Sequence, residues 1–217
     1  MAMKLALTRV CMLLGLTSVG AIASTTEVSL TGTLSPSACT PSLSANGNID
    51  YGLLVIDDLE SQGPDYYKLP EKDIAFTINC ASPTVFAVKP SDNRFPSSSS
   101  ELSFHFGLGL HNEAPIGYYT MRFSASTIEL DGREGYPASS RDFGQSWSGA
   151  TGGYFGDTNK DSGLRHAYTH FPTSDPAPKP ATRVSVKLFV SGFLSRQLPI
   201  NGAVHLDGST TLEIVYL

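Results

Sequence analysis

Three short segments of this chain carry side chains whose types and spacing could do chemistry, and each falls short of the pattern its chemistry needs. Asp157-Thr158-Asn159-Lys160-Asp161 sets carboxylate or amide oxygens at alternate positions, as the first half of a calcium loop does. Such a loop wants glycine at its sixth place and a bidentate glutamate at its twelfth, where Ser162 and Tyr168 stand, so a solvated turn is expected and no metal. His166 and His170 would share a helix face, but the metalloprotease pattern needs glutamate after the first histidine, and Ala167 is there instead. His105, His111 and His205 are scattered on expected strands or their ends. Gly144-Gln145-Ser146-Trp147-Ser148 approaches the Gly-x-Ser-x-Gly nucleophile elbow and ends on the wrong residue. With no glycine-rich phosphate loop either, the expectation is a protein that is not an enzyme and takes no cofactor.

The cysteines have a plainer chemistry. Residues 10–22 form a 13-residue apolar stretch behind Lys4 and Arg9, and Ala21-Ile22-Ala23 gives a small-x-small cleavage signal. Residues 1–23 are therefore expected to be a signal peptide, with Ser24 the first residue of an exported chain. Thirteen apolar residues are too few to span a bilayer, and no membrane insertion is expected. Removing this leader takes away Cys11 and leaves Cys39 and Cys80, which in an oxidising compartment are expected to form a disulfide. It also takes two positive charges, moving the formal net charge from −5 to −7. An acidic chain without a Lys/Arg cluster has nothing to neutralise phosphates, which argues against nucleic acid as a partner.

One further set bears on binding rather than catalysis. Tyr136, Phe143, Trp147, Tyr154, Phe155 and Tyr168 lie in a segment rich in Gly, Ser and Asp, spanning residues 131–182. Exposed rings beside short polar groups can stack on sugar C–H faces, which makes Trp147, Tyr154 and Phe155 a candidate glycan surface. The alternative is that these rings plug the segment onto the body of the protein as a satellite core.

The elements that must position all of this are strands. Period-two alternation recurs at Val28/Leu30/Leu34, Ile74/Phe76/Ile78/Cys80, Leu102/Phe104/Phe106/Leu108, Val184/Val186/Leu188/Val190 and Leu212/Ile214/Tyr216. Weaker candidates cover residues 49–56, 84–88, 116–123, 127–130 and 198–206. No stretch of ten residues holds a helical period. Many short strands separated by Gly, Pro, Asn and Asp predict an all-β sandwich or barrel. Residues 131–182 read as a long irregular central insertion.

Together these features resemble the subunits of chaperone–usher pili. Ser24-Thr25-Thr26-Glu27-Val28-Ser29-Leu30-Thr31-Gly32-Thr33-Leu34 looks like a pilin donor segment, with Val28, Leu30, Gly32 and Leu34 on one face and Cys39 soon after. Cys80 follows 41 residues later, and the chain ends on Leu212-x-Ile214-x-Tyr216-Leu217, similar to a pilin C-terminal assembly strand with its penultimate tyrosine. The run from Gly32 to Pro41, with Asp50-Tyr51-Gly52 after it, is similar to an exported fimbria-associated family of unassigned function. The resemblance implies an immunoglobulin-like (pilin-type) sandwich over residues 39–217, lacking its last strand. Residues 24–38 would serve as donor for a neighbouring fimbrial subunit, since only Ser35 to Ala38 separate Leu34 from Cys39. It also implies a periplasmic chaperone, an outer-membrane usher and other fimbrial subunits as partners, and a place in a fimbrium at the cell surface. A host or surface glycan is a further expected partner if the chain is a tip or adaptor subunit, or a free secreted carbohydrate-binding module.

Overall fold

The computed structural model describes residues 29–31 and 38–217, and the latter build an all-β sandwich. Nine strands carry the fold: β1 (Cys39–Leu43), β2 (Lys72–Thr84), β3 (Phe86–Asp92), β4 (Gly117–Ser124), β5 (Ile128–Leu130), β6 (Tyr136–Ser140), β7 (Arg165–Thr169), β8 (Ala181–Ser195) and β9 (Thr210–Tyr216).

The first sheet is built around β8, the longest strand at 15 residues. β2 pairs with it antiparallel from Ala181↔Thr84 to Val190↔Lys72. On the other side β8 is shared, with β5 against Val184–Val186 and β4 against Phe189–Leu194. β1 lies beyond β2 with Cys39 directly opposite Cys80, and the two form the expected disulfide. The second sheet runs β6–β7–β3–β9, with Ser148–Gly149 beyond β6.

Alternation explains why the sheets face each other. On β2, Ile74, Phe76 and Ile78 point inward and are buried; on β8, Val184, Val186, Leu188 and Val190 do the same. They meet Phe86 and Val88 of β3 and Tyr168 of β7 in one core, completed by Met121, Phe123 and Phe155. Burying each such side chain contributes about 1.5–3 kcal/mol.

Two stretches depart from the sequence expectation. Residues 131–182 are only partly irregular: between turns and loops they supply β6, β7 and three two- or three-residue strands at Arg133–Glu134, Ser148–Gly149 and Gly152–Tyr154. Conversely, of the alternating stretch from Leu102 to Leu108 only Phe106–Gly107 is a strand. The Lys160 ammonium donates to the carbonyls of Ser100, Leu102 and His105, so much of that backbone is tied to a side chain instead of a ladder.

Candidate functional site: an open edge over the core

Among the described residues, the two strands flanking the opening between the sheets, β1 and β9, each pair on one side only. β1 bonds to β2, and β9 bonds to β3 through seven residue pairs from Thr210↔Asp92 to Tyr216↔Phe86. Their free edges border a cavity of about 330 Å³. Its floor is core: Ile74, Met121, Leu188 and Val190; its lips are Leu43 at the end of β1 and Thr210 and Leu212 at the start of β9. Leu43, Leu212 and Ile214 are only partly buried although all three pack on the core. An unpaired strand edge is a template for another strand, and here two such edges face one apolar trough.

The gap between β1 and β9 has a bridged, closed end beyond the cavity and an open end near Gly208, where the cavity runs on into a second hollow. Tyr216 reaches across from β9, and its hydroxyl accepts the Cys39 backbone N–H at 2.9 Å. At the other end Gly208 sits against Tyr119, where a Cβ would come within 2.9 Å of the ring. The Tyr119 hydroxyl is bonded to Thr210, and burial raises its pKa. Tyr51, in the same wall, has its pKa pushed up to about 12, first by burial and then by Glu71. Both tyrosines therefore stay neutral over the apolar floor, and the charged group on the rim is Asp207, paired with Arg94.

Leu212, Ile214 and Tyr216 lie on one strand, β9. Leu212 and Ile214 face inward, Thr211 and Glu213 outward, and Tyr216 closes the trough. Of the donor positions, Val28, Gly32 and Leu34 lie outside the described residues, as does the expected signal peptide; Leu30 is described and exposed.

The glycan set does not form one surface. Phe155 is fully buried, with its ring against Phe76, Phe123 and His166, so it cannot line a surface site. Tyr154 belongs to a short strand on β4 in the first sheet and stacks on Phe104. Trp147 precedes the strand on β6 in the second sheet and donates its indole N–H to Gly144.

Asp157, Thr158 and Asn159 do something the sequence did not disclose. They continue the pairing of β3 beyond β7, on the edge away from β9. Thr158 donates to the Pro90 carbonyl through both N–H and hydroxyl, Asn159 donates to the Asp92 carbonyl, and Asp157 Oδ1 accepts the Asp92 N–H. Oδ1 also accepts from the N–H and side-chain amide of Asn159. What looked like half a calcium loop is an edge cap. Among the described residues no group of three or more His, Cys, Asp or Glu is placed to hold a metal ion. His166 accepts the Gly156 N–H in the core, with its pKa lowered to about 3 by burial and secondarily by Arg141, while His170 lies outside on the Glu134 carbonyl.

A family model described as "protein of unknown function (DUF1120)" matches residues 28–114, a span that contains β1, the disulfide, β2 and β3. The chain is 25% identical to protein GltF of Escherichia coli (strain K12) over 230 residues, covering 88% of each. It is 24% identical to the uncharacterized protein YhcF of the same organism over 216 residues, covering 85% of this chain and 87% of that one.

Proposed function

We propose that the chain is a structural subunit of a surface polymer of the chaperone–usher kind, completed by a strand from another subunit and acting in cell adhesion. The observation that carries this reading is the apolar trough between the unpaired edges of β1 and β9. An immunoglobulin-like sandwich lacking one strand would have such a trough. A strand laid there would gain main-chain bonds from both edges, and its alternate side chains would meet Leu43, Met121, Leu188 and Leu212.

Residues 28–34 have the required pattern. Burying Val28, Leu30 and Leu34 contributes roughly 5–9 kcal/mol gross, before the cost of ordering the segment. In this reading a periplasmic chaperone first covers the trough, an outer-membrane usher then exchanges it for the donor segment of the next subunit, and the polymer emerges as a fimbrium at the cell surface.

A dye-labelled peptide of residues 25–37 tests it against the purified chain. The expected result is saturable binding by the natural peptide, weakened at least about a hundredfold by Leu30→Asp, because a carboxylate buried without a partner costs several kcal/mol. Equal binding of the two peptides, or none of either, would contradict the reading.

A further inference from the structure

A second apolar trough, of about 700 Å³, continues from the open end of the first and shares Asn48, Ile49, Tyr51 and Leu206 with it. Its walls are the stretches around residues 49–56 and 198–206. Both alternate enough to predict strands, yet neither forms one beyond the short turn Ile56–Asp58. Leu53 is 95% exposed, Val55 52% and Ile200 42%. This is the larger opening and the more apolar rim, and nothing in the chain's described residues covers it.

The far, closed end of the first trough carries another apolar group. Leu217 follows Tyr216 and is 50% exposed; it lies beside Gly144 and Trp147, and Phe143 on the same turn is 61% exposed. The two patches therefore sit at opposite ends of one groove.

Resting on the strand-exchange reading above, we propose that these patches meet: the Leu53/Val55/Ile200 rim of one copy receives the Phe143/Leu217 end of a second copy, head to tail. Two features dictate the pairing. The Tyr216–Cys39 bond closes one end of the groove, so an inserted segment can end there, but the part that continues into a folded domain must leave through the open end. That polarity makes the segment antiparallel to β9, the longer lip, and parallel to the shorter β1. Second, the tether is short. Leu34 and Cys39 are separated by Ser35-Pro36-Ser37-Ala38, which reach no more than about 14–18 Å even fully extended. The donor's Cys39 end, with its own Tyr216 and Leu217, is thereby held at the acceptor's open end. A contact of this kind uses two different patches and does not close on itself, so it propagates as a filament.

The test combines association of whole chains with binding of the residue 25–37 peptide. Leu53→Asp with Ile200→Asp should weaken chain–chain association at least about tenfold while changing peptide affinity by no more than about twofold, since the strand's own groove is untouched. Phe143→Asp in the donor copy should do the same from the other side. Separately, a Leu53→Cys copy mixed with a Leu217→Cys copy should form an intermolecular disulfide that neither forms alone. Unchanged association by the aspartate variants, or cross-links only between two Leu53→Cys copies, would overturn the head-to-tail contact while leaving strand exchange standing. Absence of any peptide binding by the natural chain would remove both.

Discussion

Two edges of the second sheet are treated in opposite ways. Where β7 runs out beside β3, the backbone of Pro90 and Asp92 is met by Asp157, Thr158 and Asn159, and Asp157 is fully buried in the process. Along β9, on the other side of the same strand, no comparable cap is built among the described residues, and the rim there mixes Leu212, Thr210 and Gly208 with Ser209 and Asp207 over core side chains. A natural sheet ordinarily blunts its edges with charge, proline or a covering loop. Three consecutive side chains seal one edge, while the other is left open among the described residues, which is the arrangement the strand-exchange proposal requires.

Substitutions on the two sides should therefore differ in kind. The largest expected effect is Phe155→Ala in the sealed half, which empties a fully buried ring and should lower stability by about 3–5 kcal/mol, read as a fall in the denaturation midpoint. A small loss would restore Phe155 to a surface role. Asp157→Ala comes next, at about 1–3 kcal/mol, because it strands the buried Asp92 N–H and the Asn159 donors. Neither change should alter peptide uptake per folded molecule.

Acid should act on the same sealed side. Burial lowers the pKa of His105 to about 4 and that of His166 to about 3. Below about pH 6.5 the unfolded chain takes up protons that the folded chain refuses, so these groups stabilise the fold fully above that value and progressively less as pH falls toward 3–4. Thermal melts from pH 7 to 4 should show that decline, and His166→Gln should flatten it.

The smallest effect on stability belongs to the open side. Leu212→Ala, on a half-buried lip, should cost no more than about 1–2 kcal/mol in the free chain yet weaken strand uptake measurably. A large loss of stability with unchanged uptake would mean that Leu212 serves the core alone.

The long strands were legible because one face is buried and the other wet: β2, β8 and β9 show it at Ile74–Ile78, Val184–Val190 and Leu212–Ile214. β6 and β7 were not, because they lie within the sandwich where nearly every position is covered; four of the five residues of β7 are buried, which erases the period. Tyr154 and Phe155 read as a pair of rings in sequence, but adjacent strand residues face opposite ways, and one went outward while the other went to the core. The Asp157–Asn159 cap was visible only as oxygens at alternate positions, since its partners are backbone groups more than sixty residues away. The alternation at residues 198–206 predicted a strand that the single chain does not form, and its partner is what the proposed polymer would supply.

The most direct test of the central claim is assembly itself. The chain, co-expressed with the periplasmic chaperone and outer-membrane usher that the proposal calls for, is examined for surface polymer by SDS-resistant laddering, beside Leu30→Asp and Gly32→Phe forms. Strand exchange predicts ladders from the natural chain and their loss from both variants, each still recoverable as a folded subunit on its chaperone. Ladders of normal length from both variants would contradict residues 28–34 as the donor and leave the trough between β1 and β9 without its strand.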